Sequence, residues 1–159
     1  MTDEKREMLR HTVATVAYRG AKALRDAPDS FADFRVGAKS RTPVQILAHT
    51  GDLFDWALTM AEGMETWRDS VPLPWPGEVA RFFAVLQAFD DFLASTADLA
   101  AGTEKLFQGP VADALTHIGQ IAMLRRLAKS PVKGENYSRA DIVAGRVGAA
   151  QSAPRREFD

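Results

Sequence analysis

The chain has 159 residues, 46% of them hydrophobic and 26% charged, with a formal net charge of −1; this is the composition of one ordinary globular domain with room for a sizeable core. Acids and bases are mixed along it, which excludes a strongly basic surface for nucleic acid or anionic lipid. Cysteine is absent, and disulfides, thiolate metal sites and cysteine nucleophiles are excluded together.

The expected setting is cytoplasmic, because a chain without cysteine fits a reducing compartment. No apolar run reaches membrane-spanning length, and Met1 to Arg10 is charged with no apolar stretch behind it, so neither a signal peptide nor a membrane anchor is expected.

Helical periodicity dominates, with no alternating run of β-branched residues to suggest a strand. A first helix is expected over residues 4–26, with Leu9, Val13, Val16 and Leu24 on one stripe. Pro28 and the polar segment to Thr42 form a connection. Thr42-Pro43-Val44-Gln45 reads as a capping box with proline at the first helical position. It opens a second helix that carries Ile46, Leu53, Ala57, Ala61 and Met64 to about Glu65. Pro72, Pro74 and Pro76 keep the next stretch from being helical throughout. A lid or subunit contact is the functional reading of Val71 to Pro76, and a stiff connector the plain one.

A third helix is expected from about Gly77 to Leu99, with Phe82, Leu86, Phe89, Phe92 and Leu93 facing inward. Gly102 and Gly109-Pro110 punctuate the following connection, and a fourth helix runs from near Pro110 to Lys129, ahead of Pro131. Ser138 to Asp141 is read as the cap of a short helix ending near Gly145. Residues 1–150 thus form one domain, and 151–159 a frayed or disordered tail. Four amphipathic helices that must each bury a stripe imply an all-α four-helix bundle.

The chain has three histidines. Asp113 and His117 are four residues apart on the fourth helix, which sets both side chains on one face about a turn apart. Ala114, Ile121, Leu124 and Ala128 share that side, so the pair points at the bundle interior or its rim. His49 lies at the margin of the second helix's apolar stripe. Burying two imidazoles and a carboxylate is costly unless they pair or bind a cation, and together they make a ligand set with open positions for water or substrate. A helix-face hydrogen bond is the competing reading of Asp113 and His117. Gln120 and Asp52 are candidate hydrogen-bond partners of the ligands. Gln45 is assigned to the cap, His11 to structure, and Arg125, Arg126 and Lys129 to the helix dipole. Glu135-Asn136-Tyr137 is either a polar wall over the site or a surface loop. No HExxH, P-loop, dinucleotide fingerprint, di-iron pattern or nucleophile elbow occurs.

The segment from His49 to Trp56 (HTGDLFDW), followed far downstream by that from His117 to Arg126 (HIGQIAMLRR), resembles the DinB/YfiT-like superfamily of metal-binding four-helix bundles. Members carry one histidine early in the second helix and a His-x-x-x-His-x-Gly-Gln signature downstream. The likeness covers residues 4–129; His117, Gly119 and Gln120 match in order, while Asp113 stands where many members have histidine. The resemblance implies that His49, Asp113 and His117 hold one divalent metal, and that the helices run up-down-down-up. It also implies a metal-dependent transferase, isomerase or hydrolase, a low-molecular-weight thiol as partner, and a homodimer. Zinc or nickel suits the ligand set best, with iron or manganese also compatible. Two features speak against that helix order: a short link between helices two and three favours antiparallel neighbours, and His49 and His117 lie at similar distances from their helix starts, which favours parallel ones. Three functions stay open: a metal-dependent enzyme, a non-catalytic module stabilised by metal, and a metal-free binding or dimerisation scaffold.

Overall fold

The computed structural model describes residues 3–158. Four long helices form an all-α bundle: α1 (Glu4–Leu24), α2 (Pro43–Glu62), α3 (Trp75–Ala94) and α5 (Ala112–Leu127), with a single turn, α4 (Thr103–Leu106), leading into the last. The one sheet among the described residues is a short antiparallel pair of β1 (Gly134–Glu135) and β2 (Glu157–Phe158). No described helix is long and apolar enough to cross a membrane.

The ends of α2 follow from local chemistry. The Thr42 hydroxyl accepts from the Gln45 N–H, and the Gln45 side chain accepts from the Thr42 N–H at 2.9 Å, completing the expected capping box. Gly63 ends the helix in the left-handed conformation at φ +81°, three residues before the expected stop, and there a side chain would be strained. α3 begins at Trp75 because Pro76 falls in the first turn, where no N–H is needed. It stops at Ala94 rather than Leu99: the Ser95 hydroxyl turns back to donate to the Phe92 carbonyl, a local bond that competes with further helix.

The largest departure from expectation is in the last helix. Helical backbone starts at Thr103 and passes without interruption through Gly109-Pro110, where the breaker signal predicts a connection. A π turn over Phe107–Val111 carries Pro110; this wider turn accommodates a residue that lacks an N–H and crowds the preceding turn.

Residue pairs fix the directions of the helices. Arg6 donates to the Phe92 and Leu93 carbonyls and Arg10 pairs with Asp90, while Gly20 lies against Phe82, so α1 and α3 are antiparallel. Lys5 meets Glu104, and Arg125 reaches the Ala23 carbonyl, so α1 and α5 are parallel. Asp52 meets Arg81 and Phe54 meets Phe89, which sets α2 parallel to α3. His49 meets His117 and Trp56 lies over Gly109, which sets α2 antiparallel to α5. The sense is up-down-down-up, with α1 and α2 on one diagonal and α3 and α5 on the other. Both apparent conflicts dissolve. The twelve residues from Gly63 to Pro74 form neither helix nor strand and can reach at most about 40 Å; that is enough to return along a helix of about 30 Å and start α3 in the same sense. His117 in turn lies near the middle of the Thr103–Leu127 run, not near its beginning.

Phe54, Phe82, Phe89, Leu86, Leu93 and Ile121 are fully buried between the helices, each contributing roughly 1.5–3 kcal/mol relative to exposure. The C-terminal segment adds a polar clasp. Tyr18 donates to Glu135 at 2.5 Å, and Lys22 bridges Glu135 and Glu157 at 2.7 and 2.8 Å. So the described part of the tail expected to fray is tied at Glu157–Phe158 to β1 and α1; Asp159 lies outside the described residues. The short helix expected to end near Gly145 is only a 3-10 turn, Tyr137–Arg139, capped by Asn136. Arg125, read as a dipole partner, is buried and donates to the carbonyls of Ala23, Arg25 and Ser130.

One guanidinium organises the α2–α3 face. Arg81 contacts Asp52 at 2.6 Å, Asp55 at 2.7 Å and Ser70 Oγ at 3.1 Å, with Glu78 at 3.6 Å. Asp52 and Glu78 are buried. Removing the cation strands their charges, so Arg81→Met should lower stability by about 3–5 kcal/mol in urea denaturation. Lys5→Ala, which breaks the solvent-exposed pair with Glu104, should leave the same transition unmoved.

Candidate metal centre

Early in α2 the cap at Thr42 sets the helix phase, and His49 follows about two turns later on the side that faces α5. On α5, Asp113 comes two residues after the π turn and His117 four residues further on. Antiparallel packing brings the three together. The imidazole centroids lie 4.7 Å apart. The Asp113 carboxylate sits between them, with Oδ2 at 3.8 Å from His49 Nε2 and Oδ1 at 3.3 Å from His117 Nδ1. One donor atom from each residue lies within 4.8 Å of the others, and all three side chains are partly buried. The group can hold a metal ion.

The donor chemistry fits such an ion. His117 Nδ1 lies 2.7 Å from the backbone carbonyl of Asp113. A carbonyl only accepts, so Nδ1 carries the proton and the lone pair is on Nε2. Metal-ligating imidazoles are oriented by this kind of bond. Two ligands at roughly 2.0–2.1 Å from a tetrahedral zinc are about 3.3 Å apart. The 3.8 Å between His49 and Asp113 closes to that with a small turn of Asp113, the most exposed of the three.

Around this group the structure redistributes the expected roles. Asp52 does not serve His49: Oδ1 is held by Arg81, and Oδ2 accepts the Ser70 N–H at 3.0 Å. Gln120 is exposed one turn beyond His117 and, among the described residues, hydrogen-bonds neither imidazole; the bond expected from it is made by the Asp113 carbonyl. Glu135 goes to Tyr18 and Lys22 on α1, the helix diagonal to α2, and forms no wall over the site. His11 is exposed on α1. Trp75, in the segment read as a lid or subunit contact, is a core residue against Phe31 at 5.6 Å.

The residue that sequence reasoning missed is Trp67. Its ring stands edge-on to His49 at 5.5 Å and to Trp56 at 5.8 Å, walling one side of the imidazole. The hydrogen bonds between Thr59 and Thr66 and the bond from Ser70 to Asp52 fix the connection that carries it. The available signal was its position nine residues before the proline cluster ends, which says nothing of direction.

On the other side, His117 opens onto a groove of about 710 Å³ that runs past Arg41, Ile46, Gln120, Met123 and Leu127.

No model of a known protein family, no curated protein and no solved structure matches the chain. Its chemistry must be read from the site.

Burial holds the His49 imidazole below its ordinary pKa, helped by the charges of His117 and Arg41 and opposed by Asp113 and Asp52. The ring is therefore neutral, the form that binds metal, down to lower pH than a free histidine. The sign follows from linkage: as pH falls below about 6.5, an unfolded chain protonates His49 before the folded one does. The contribution of His49 to stability is intact above that pH and is lost as pH falls through the depressed folded value. A proton NMR titration of metal-free protein should give a His49 midpoint below about 6.5; one at or above that value contradicts the burial described here.

Proposed function

We propose that the protein is a DinB/YfiT-like metalloprotein in which His49, Asp113 and His117 hold one divalent ion, and that it is a metal-dependent enzyme of the thiol-dependent transferase or hydrolase type. The observation that carries this reading is the convergence of the three donors with the His117 proton fixed on the Asp113 carbonyl. The helix order and the sequence likeness support the family assignment. A bound ion of this kind supplies a Lewis acid and lowers the pKa of a water or thiol at an open position.

The chain's own groups then have distinct tasks. His117 is held by its carbonyl bond with Nε2 free, and Asp113 balances positive charge between the rings. Trp67 and Trp56 shield one flank of His49 from water, leaving the groove beside His117 for a reactant. Because the chain contains no cysteine, a thiol nucleophile comes from a small molecule. Zinc or nickel suits two imidazoles and a carboxylate, with iron or manganese next.

A second reading is favoured by one observation. The carboxylates near the site are already engaged, Asp113 as a ligand and Asp52 with Arg81, so no free group is placed as a general base. A metal that only stabilises the bundle fits that arrangement.

Elemental analysis of untagged protein purified without added metal tests the reading. One equivalent is expected in the wild type. His49→Ala and His117→Ala should each weaken retention beyond the roughly 10–100-fold that loss of an outer hydrogen bond costs. If both variants keep their metal, or the wild type has none, the metal reading fails. Thiol consumption with electrophilic substrates then separates the functions: equal turnover by wild type and His49→Ala leaves only the stabilising role.

A further inference from the structure

The groove beside His117 has a one-sided chemistry. Val36, Ile46, Met123, Leu124 and Leu127 give it an aliphatic wall, and among the described residues no aspartate or glutamate lines it, and no ring other than the His117 imidazole. Val36, Met123 and Leu127 are each 53% exposed, a contiguous apolar strip of a kind that marks a binding surface. From His117 to Leu127 the α5 wall is about 15 Å long.

The one full positive charge on the lining is Arg41, exposed and, among the described residues, in no ion pair. It immediately precedes the cap of α2 and lines the same groove as His117. The other guanidiniums close to α2 differ: Arg81 is surrounded by three carboxylates, and Arg35 is turned onto the Ala38 and Ser40 carbonyls.

We propose that this groove binds an aliphatic carboxylic acid, with the carboxylate on Arg41 and the hydrocarbon chain along Ile46, Met123, Leu124, Leu127 and Val36. The inference rests on the metal reading for its role in catalysis, since it names the substrate class of that site, but its binding chemistry does not require the ion. A straight chain suits a wall of branched and thioether side chains, on which the His117 imidazole is the one ring among the described residues. A carboxylate satisfies the cation that the fold leaves open, in a bond of the charge-assisted kind.

Calorimetry on the metal-free full chain tests this, with octanoate, octanol and butyrate as probes. Octanoate should bind more tightly than octanol, which lacks the charge, and than butyrate, which lacks the chain. Arg41→Gln should weaken octanoate roughly fivefold and leave octanol unchanged, the effect of one partly solvated ion pair. Met123→Glu should weaken octanoate more than octanol by placing a like charge in the groove. Both substituted residues are exposed, so the variants keep the fold, checked by melting. No measurable octanoate binding, equal affinity for octanoate and octanol, or an Arg41→Gln variant that binds octanoate as well as wild type would each overturn the proposal. Because no metal is present in these measurements, such a result leaves the metal reading standing, and metal loss in the histidine variants leaves the groove proposal standing.

Discussion

The antiparallel seam between α2 and α5 is the constraint on which the chemistry depends. It sets His49 level with His117 and Trp56 level with Gly109, two contacts that fix both the direction and the vertical register of the pair. A slide of one helical turn, about 5.4 Å, would leave each imidazole opposite an unrelated residue. The helices are close at this level: a Cβ at Gly109 would lie 3.6 Å from the Trp56 ring, in ordinary van der Waals contact. Packing of ordinary apolar surfaces therefore does the work of bringing polar donors together, and the donors themselves need supply little of the fold's stability.

The second organising element is the returning connection between α2 and α3. Parallel neighbours need a chain that travels the full length of a helix, and an irregular backbone along this path lacks the hydrogen bonds of a helix. Asp52, Arg81 and Ser70 supply substitutes, and Thr59 with Thr66 adds two more. Fixing the connection also fixes Trp67 against His49. The charge cluster is thus coupled to the candidate centre through one aromatic ring, although none of its charged groups touches a donor.

Much of the fold was legible because it rests on local rules. The Thr42–Gln45 box, Pro43 at the first helical position and the apolar stripes of α1 to α3 are properties of short windows of sequence. The Asp113–His117 spacing likewise needs only helical geometry. What escaped were effects that depend on partners distant in sequence. Asp52 looks like a neighbour of His49 until α3 brings Arg81 beside it; Glu135 looks like a loop residue until Tyr18 and Lys22 draw it in. Gly109-Pro110 carried a breaker signal that the π turn overrode, and this misplaced the start of the last helix and with it the level of His117. Trp67 sits in an irregular segment whose direction no periodicity encodes.

That π turn also resolves a geometric conflict within one continuous rod. Before it, Leu106 is fully buried in the core and Lys5 meets Glu104; after it, His117 faces α2 and Ile118 approaches Gly20 on α1. A regular helix would tie these two sets of contacts to a single angular phase. The additional residue in the wide turn shifts everything downstream by about 100°, so each half can satisfy its own neighbours. Phe107–Val111 acts as a phase adjuster, and shortening it by one residue would leave both halves helical while rotating the two donors of α5 off their common axis with His49.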